Sequence, residues 1–307
     1  MMRVHAPLMC SSTHQGQSHT KTGKPNQDSA RHWYDAHSGL WSVAIADGHG
    51  AAKHTQSHTG SRIAVDAAVE AIAKYLQQSH DWDKCLIHSL KLDKLRSSLL
   101  DPIIESWREG IAADYRKVIG RHELPGEDFL SDAKVHQLYG STLAFAFPIR
   151  NWIVLASLGD SDVMWINRNG SVMTMSPPSD NHSQSVYGVQ SLCQSNPQSR
   201  IRFLSVQKPI GGTLMLASDG VRNSGQFKTE AVSLLRSCHE MACFNPKGLQ
   251  EYLSQQIRNM AMTGAQDDCT ACVVHFPPCI INKIKWRDYL IRGGRAFKML
   301  TVQQKKG

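Results

Sequence analysis

The stretch WSVAIADGHG, residues 41–50, joins an apolar run to an Asp-Gly pair. Its first six residues form a short apolar run, and the pair Asp47–Gly48 follows at once. A short apolar run bounded by a turn signal is typical of a buried strand. The stretch therefore predicts a buried strand that ends at an aspartate in a sharp turn.

Similar apolar runs are spread over the whole chain, and helical patterns lie between them. The runs are TLAFAF (142–147), WIVLASL (152–158), TLMLA (213–217) and TACVVHF (270–276). Apolar residues at steps of three and four predict helices from Val65 to Leu76 and from Ile104 to Val118. A third helix is predicted from Asn245–Pro246 through Met260, since an asparagine cap followed by proline favours a helix start.

Aspartates recur beside glycine or a second aspartate at four predicted strand ends. The segments are IADGHG at Asp47, SLGDSD at Asp160 and Asp162, LASDG at Asp219, and QDDCT at Asp267 and Asp268. One Asp-Gly pair usually makes only a turn. Repeated carboxylates repel one another unless a cation neutralises them, and hard oxygen ligands favour Mg²⁺ or Mn²⁺ over zinc or copper. Paired ions of this kind suit the hydrolysis of a phosphate ester.

The net charge of +8 belongs almost entirely to the C-terminal segment. Eight of the 34 basic residues and one of the 26 acidic residues lie in 280–307, so residues 1–279 are nearly neutral. We predict a domain over 1–279 and a basic tail over 280–307. A tail that binds nucleic acid would be expected to interleave aromatic with basic residues on a recognisable module, and none is found. No nucleic-acid partner is therefore expected.

The eight cysteines are scattered, with one CxxC pair at Cys269 and Cys272. A zinc site would need a second pair or suitably spaced histidines. Alternate residues of a buried strand explain the pair better. The chain shows no signal peptide and no apolar run long enough to span a membrane, so a cytoplasmic location with free thiols is expected.

Residues 176–200 are rich in serine, glutamine, proline and asparagine, and predict a long surface loop. A loop of this length in a compact domain is often functional. We interpret it as a flap that faces the substrate.

Six short motifs, in this order, resemble those of the PP2C family of metal-dependent serine/threonine protein phosphatases. They are PNQD (25–28), ADGHG (46–50), GST (140–142), GDSD (159–162), SDG (218–220) and QDDCT (266–270). The resemblance spans residues 16 to about 276 and is to a divergent, bacterial-type branch. It implies an α+β fold, a four-layer αββα sandwich with two central, mostly antiparallel sheets flanked by helices.

The resemblance also implies roles for individual residues. Asp47 resembles the aspartate that bridges two catalytic metals, and Gly48 the glycine whose carbonyl binds the second. Asp219 and Asp267 resemble the other ligands of the first metal, and Asp160 the ligand of a third metal found in many members. The remaining two matches are Asp28, similar to the residue that orients metal-bound water, and His49, similar to the general acid that protonates the leaving alkoxide.

Direct attack of metal-activated water on phosphoserine or phosphothreonine is the implied reaction. The implied cofactors are two catalytic Mn²⁺ or Mg²⁺ ions, with a third at Asp160. The implied partners are a phosphoprotein substrate and a cognate serine/threonine kinase, and the chain is expected to be a monomer. The alternative is a pseudophosphatase that binds phosphoproteins without hydrolysing them. Loss of Asp47, Asp219 or Asp267 would favour it, and none is lost.

The sequence departs from the family pattern near the second metal and the phosphate. Gln27 stands where the family usually has glutamate. Gly23 stands where the phosphate-binding arginine is expected, which leaves His19 or Lys24 as the candidate cation. GDSR has become GDSD at Asp162, and Asn223 replaces an aspartate often found four residues after the Asp219 position.

Overall fold

The structure is a computed structural model and describes residues 6–78, 95–121, 131–175, 189–208, 211–225, 229–264 and 267–277. Ala6–Pro277 forms a compact unit. The predicted tail, the boundary at residue 279 and part of the predicted flap lie outside the described residues.

Two antiparallel five-stranded sheets form the centre of the fold. The first has the order β1-β10-β9-β6-β7, and the second β2-β3-β4-β5-β8. The strands are β1 Leu8–His14, β2 Asp28–Tyr34, β3 Trp41–Asp47, β4 Leu143–Ile149, β5 Trp152–Leu158, β6 Asp162–Ile166, β7 Val172–Thr174, β8 Arg202–Gln207, β9 Thr213–Ala217 and β10 Cys269–His275. All five apolar runs are strands, as the sequence predicts.

Seven α-helices surround the sheets in the described residues. They are α1 Gln17–Thr22, α2 Ser57–Gln78, α3 Asp101–Arg121, α4 Asp132–Leu138, α5 Asp219–Asn223, α6 Glu230–Phe244 and α7 Leu249–Asn259. The helix predicted from Asn245–Pro246 begins with a 3₁₀ turn, Pro246–Gly248, before α7. Asn245 and Pro246 are therefore at the start of this helical segment, as predicted.

Three apolar cores separate the four layers. One lies between the sheets and includes Trp41, Ile45 and Leu216. A second packs α2 and α3 on the second sheet, and a third packs α6 and α7 on the first. Because strand residues alternate between faces, β10 supplies Cys272 to the core between the sheets and Cys269 to the helix-covered core. Both thiols are buried and free, so the CxxC pair is explained by the strand. The predicted αββα sandwich is confirmed.

Candidate active site and metal centre

Two aspartates meet across neighbouring strands of the second sheet. Asp28 begins β2 and Asp47 ends β3, and the two residues are direct partners in the antiparallel register. Asp28 is buried, with 5% of its surface exposed. Because β2 and β3 run antiparallel, the start of β2 and the end of β3 lie at the same edge of the sheet, and both carboxylates are there.

The first sheet brings three more aspartates to this edge. Asp219 follows β9 after one residue, Asp267 comes shortly before β10, and Asp160 comes shortly before β6. Since β9 runs antiparallel to both β10 and β6, the end of β9 and the starts of β10 and β6 lie at the same edge of the sheet. The turn after β9 approaches β10 closely, because a Cβ atom on Gly220 would lie 1.9 Å from the Asp268 carbonyl oxygen. This contact explains the glycine of the SDG motif.

The electrostatics of the cluster show that its carboxylates are close together. Burial raises the pKa of Asp47 well above its ordinary value, and the charges of Asp28, Asp219, Asp267 and Asp160 raise it further. Burial is also the main reason why the pKa values of the other four aspartates are raised. The charged forms therefore need a compensating cation.

The donor set fits a hard divalent cation. All five side chains offer carboxylate oxygens, the ligands that Mg²⁺ and Mn²⁺ prefer. The Oδ2 atom of Asp28 is buried, and no atom of the described residues hydrogen-bonds to it. The five predicted aspartates are thus brought together in a form that suits bound metal.

Asp268, which has no role in the sequence prediction, connects three segments around the site by hydrogen bonds. Its carboxylate accepts hydrogen bonds from the amides of Gly16 (2.7 Å) and Gln27 (2.6 Å), and it is buried. These bonds tie the segments before α1 and β2 to the start of β10. The second aspartate of QDDCT was the available signal for this role.

Two departures from the family pattern have local partners. The Arg222 guanidinium donates to the Asp162 carboxylate at 2.8 Å and to the Asp160 carbonyl at 3.2 Å. The aspartate of GDSD is therefore paired with an arginine from α5. Asn223 donates to the Asp219 carboxylate at 3.1 Å, so its amide hydrogen-bonds directly to a predicted ligand.

His49 lies at the edge of the cluster in a tight turn. Its amide donates to the Gly140 carbonyl at 3.1 Å, and its ring lies 4.9 Å from the His54 ring, between centroids. Burial, followed by the charges of His54 and Lys53, lowers the pKa of His49 to about 4.

Gly48 forms an isolated bridge with Ser141, which fixes the turn against the GST motif. The Thr142 hydroxyl accepts a bond from the Asp47 amide at 2.9 Å. The GST motif therefore supports the turn.

Gln27 is buried, and its side chain reaches towards α2. Its amide nitrogen donates to the Ser57 hydroxyl at 2.6 Å and to the His49 carbonyl at 3.4 Å. Its Oε1 atom is buried, and no hydrogen-bond partner for it is found among the described residues. Gln27 therefore lies behind the turn that carries Asp47 and Gly48.

The two candidate phosphate-binding residues have different surroundings. His19 is buried, with Nδ1 3.0 Å from the Asp268 carboxylate and Nε2 3.7 Å from that of Asp267. Lys24 is exposed, and its Nζ atom donates to the Gly50 carbonyl at 3.1 Å. Of the two residues, only Lys24 is exposed to solvent. The phosphate contact stays a prediction for both.

A groove of about 640 Å³ opens beside His49. The turn at 50–54, helix α4 and residues 189–194 of the predicted flap line it, and Lys53 and Lys134 are among its residues. Residues 189–194 therefore border His49, but this part is not wholly the predicted surface loop, since Ser191 and Leu192 are buried.

A comparison with protein-family models identifies the family. The model of the protein phosphatase 2C family matches residues 15–258. This chain belongs to that family. A search of curated protein sequences found no match.

Solved structures of bacterial phosphatases share the fold. The first is PppA, a key regulatory component of T6SS in Pseudomonas aeruginosa, with 20% identity, 89% of this chain and 98% of that chain covered, and a TM-score of 0.54. The Ser-Thr phosphatase MsPP from Mycobacterium smegmatis, in complex with cacodylate, has 17% identity, coverage of 87% and 97%, and a TM-score of 0.52. PstP/Ppp from Mycobacterium tuberculosis has 18% identity, coverage of 88% and 98%, and a TM-score of 0.50.

The described helices include no segment with the length and apolar character of a membrane span.

Proposed function

We propose that this protein is a Mn²⁺- or Mg²⁺-dependent phosphatase that hydrolyses phosphoserine and phosphothreonine in proteins. The observation that carries the proposal is the convergence of Asp28, Asp47, Asp160, Asp219 and Asp267 at one edge of the two sheets. Membership of the protein phosphatase 2C family supports it. A serine/threonine kinase would supply the phosphoprotein.

Each residue has a distinct task in the proposed reaction. Asp47, Asp219 and Asp267, with the Gly48 carbonyl, would hold two ions, and Asp160 a third. The bound cations would supply the positive charge that acidifies water and neutralises phosphoryl oxygens. Asp28 is buried beside Asp47, and its carboxylate would orient the attacking water. Water would attack the phosphorus directly, so no phosphoenzyme would form.

His49 would protonate the leaving oxygen of the serine or threonine side chain. Because burial and nearby cations hold its pKa at about 4, the imidazole is neutral near pH 7 in the free protein. The negative charge of a bound phosphate would raise that pKa, since an opposite charge favours the protonated ring. Substrate binding would therefore prepare the acid that the reaction needs.

Hydrolysis of an aryl phosphate and of a phosphoserine peptide, each with Mn²⁺ and with EDTA, tests the proposal. We expect turnover of both with Mn²⁺ and loss of turnover with EDTA. Activity that survives EDTA would contradict the metal mechanism. Binding of the phosphopeptide without any turnover, at any Mn²⁺ or Mg²⁺ concentration, would favour the pseudophosphatase.

A further inference from the structure

A second group of potential metal ligands lies at the opposite end of the first sheet from the aspartates. It consists of His239 and Cys243 on α6 and His275, the last residue of β10. One nitrogen of each ring and the Cys243 Sγ atom all lie within 4.8 Å of one another. Since β10 begins near the aspartates and spans seven residues, the two groups lie roughly 20 Å apart along the strand.

The strand periodicity explains why these side chains meet. The core beneath α6 takes alternate residues of β9 and β10, such as Met215 and Val273. The same period places Thr213 and His275, which are partners in the register, on that face at the strand ends. His239 lies above them, and Cys243 follows one helical turn later on the same side.

One hydroxyl group orients both imidazoles. The Thr213 Oγ1 atom lies 2.9 Å from Nδ1 of His239 and 2.9 Å from Nδ1 of His275. A hydroxyl oxygen has two lone pairs and can accept an N–H bond from each ring. Histidines that bind metal commonly donate their other ring nitrogen to such a partner. This arrangement leaves Nε2 of each ring as the ligand atom.

The distances suit a small tetrahedral ion. His239 Nε2 lies 3.9 Å from Cys243 Sγ. In a tetrahedral zinc site, Zn–N and Zn–S bonds place such a pair roughly 3.5 Å apart. A shift of a few tenths of an ångström at the exposed Cys243 would close the difference.

We propose that His239, Cys243 and His275 bind Zn²⁺, with water as the fourth ligand. Two imidazoles and a thiolate favour zinc, whereas the all-oxygen aspartate cluster favours Mg²⁺ or Mn²⁺, so the two sites select different cations. The thiol proton passes to solvent as the Zn–S bond forms. His275 is buried, while the exposed Cys243 gives the ion a route from solvent.

The test uses the full chain and Co²⁺ as a spectroscopic substitute for Zn²⁺. We expect one equivalent of Co²⁺ to give a thiolate-to-cobalt charge-transfer band, which an all-oxygen site cannot give. Zn²⁺ should displace this Co²⁺ and raise the melting temperature. In Cys243→Ala the band should disappear and Zn²⁺ affinity should fall at least about 10-fold, since even outer residues of metal sites are worth this much.

Cys193→Ala is the matched control, because this partly buried free cysteine lies in the groove beside His49. It should keep the band. Circular dichroism in the helical region would verify that α6 is intact in Cys243→Ala. No band in the natural protein, a band that survives Cys243→Ala, or equal loss in Cys193→Ala would each overturn the proposal.

Discussion

Asp47 interacts with all four of the other aspartates in the cluster, so its charge is costly when no metal is bound. We expect Asp47→Asn to lower turnover by on the order of 10³-fold, because it removes a preorganised charge on which the reaction depends. In chelator, the same change relieves repulsion and should stabilise the fold by about 1 kcal/mol, which raises the melting temperature by roughly 2–4 °C. Aryl phosphate turnover and thermal unfolding measure the two effects.

Asp66→Asn is the control for this prediction. Asp66 is partly exposed on α2 and pairs with Arg31 at 2.7 Å. Its neutralisation should leave turnover unchanged and slightly lower the melting temperature, the reverse of the expected result for Asp47. Near-normal turnover of Asp47→Asn would contradict the ligand assignment.

Gln27 allows a test of the second metal position. Gln27→Glu restores the charge that the family usually has there, so the Mn²⁺ concentration for half-maximal activity should fall several-fold. In chelator, the added buried charge should lower the melting temperature, and the weak bond to the His49 carbonyl is lost. Mn²⁺ titrations at fixed ionic strength, with the aryl phosphate as substrate, measure the first effect.

Gln255→Glu adds the same charge on an exposed residue of α7, in the helical layer outside the first sheet. It should change neither the metal requirement nor the chelator-treated stability by a measurable amount. An unchanged metal requirement in Gln27→Glu would mean that the residue does not influence the second ion.

Helix α2 positions the turn that carries His49 through a close contact at Gly60. A Cβ atom there would lie 2.0 Å from the Tyr139 carbonyl oxygen, and the next residue, Gly140, accepts the bond from the His49 amide. Gly60→Ala should therefore move α2 or the 139–140 backbone and cost roughly 1–3 kcal/mol. We expect turnover to fall with stability, measured by urea unfolding and aryl phosphate hydrolysis.

Gly110→Ala is the matched change on α3. Its Cβ atom would contact Cγ2 of Ile63, a side chain that can move. The gain in helix propensity, about 1 kcal/mol, offsets part of this contact. An equal loss of stability and activity in both variants would show that Gly60 has no special link to the His49 turn.

At the level of elements, apolar runs were predictable and polar strands were not. The five runs were found because they are buried on both faces. β1 and β2 contain several polar residues, and β1 owes its place to pairing with β10, more than 250 residues later. Such non-local pairing leaves no trace in local composition.

At the level of the whole molecule, the aspartates were identified from their motifs, but their supporting residues were not. The Arg222–Asp162 ion pair and the hydrogen bonds that Asp268 accepts from backbone amides join segments that are distant in the sequence. The His239–Cys243–His275 group escaped detection for the same reason, since its members come from a helix and a strand. Motif spacing along the chain therefore predicts the candidate ligands, and the packing of the sandwich determines their surroundings.

The groove beside His49 is formed by three segments, the turn at 50–54, helix α4 and residues 189–194. We predict that it influences which phosphopeptides the protein hydrolyses. Lys134 is exposed in this groove, and Lys53 lies in it as well. We expect Lys134→Gln to reduce kcat/KM for phosphoserine peptides with acidic flanking residues by about 1.4- to 5-fold, since an exposed ion pair is worth roughly 0.2–1 kcal/mol. Peptides with neutral flanks and the aryl phosphate should change little, because they do not offer a carboxylate to this lysine.

Lys247→Gln provides the comparison, since Lys247 is equally exposed but lies in the turn between α6 and α7. It should leave the ratio of acidic to neutral peptide turnover unchanged. The effect of Lys134→Gln should also shrink as salt is raised, because exposed charges are screened over about 10 Å at 0.1 M ionic strength. A ratio that stays constant in Lys134→Gln, or that changes equally in Lys247→Gln, would show that the groove does not hold the residues next to the phosphoserine.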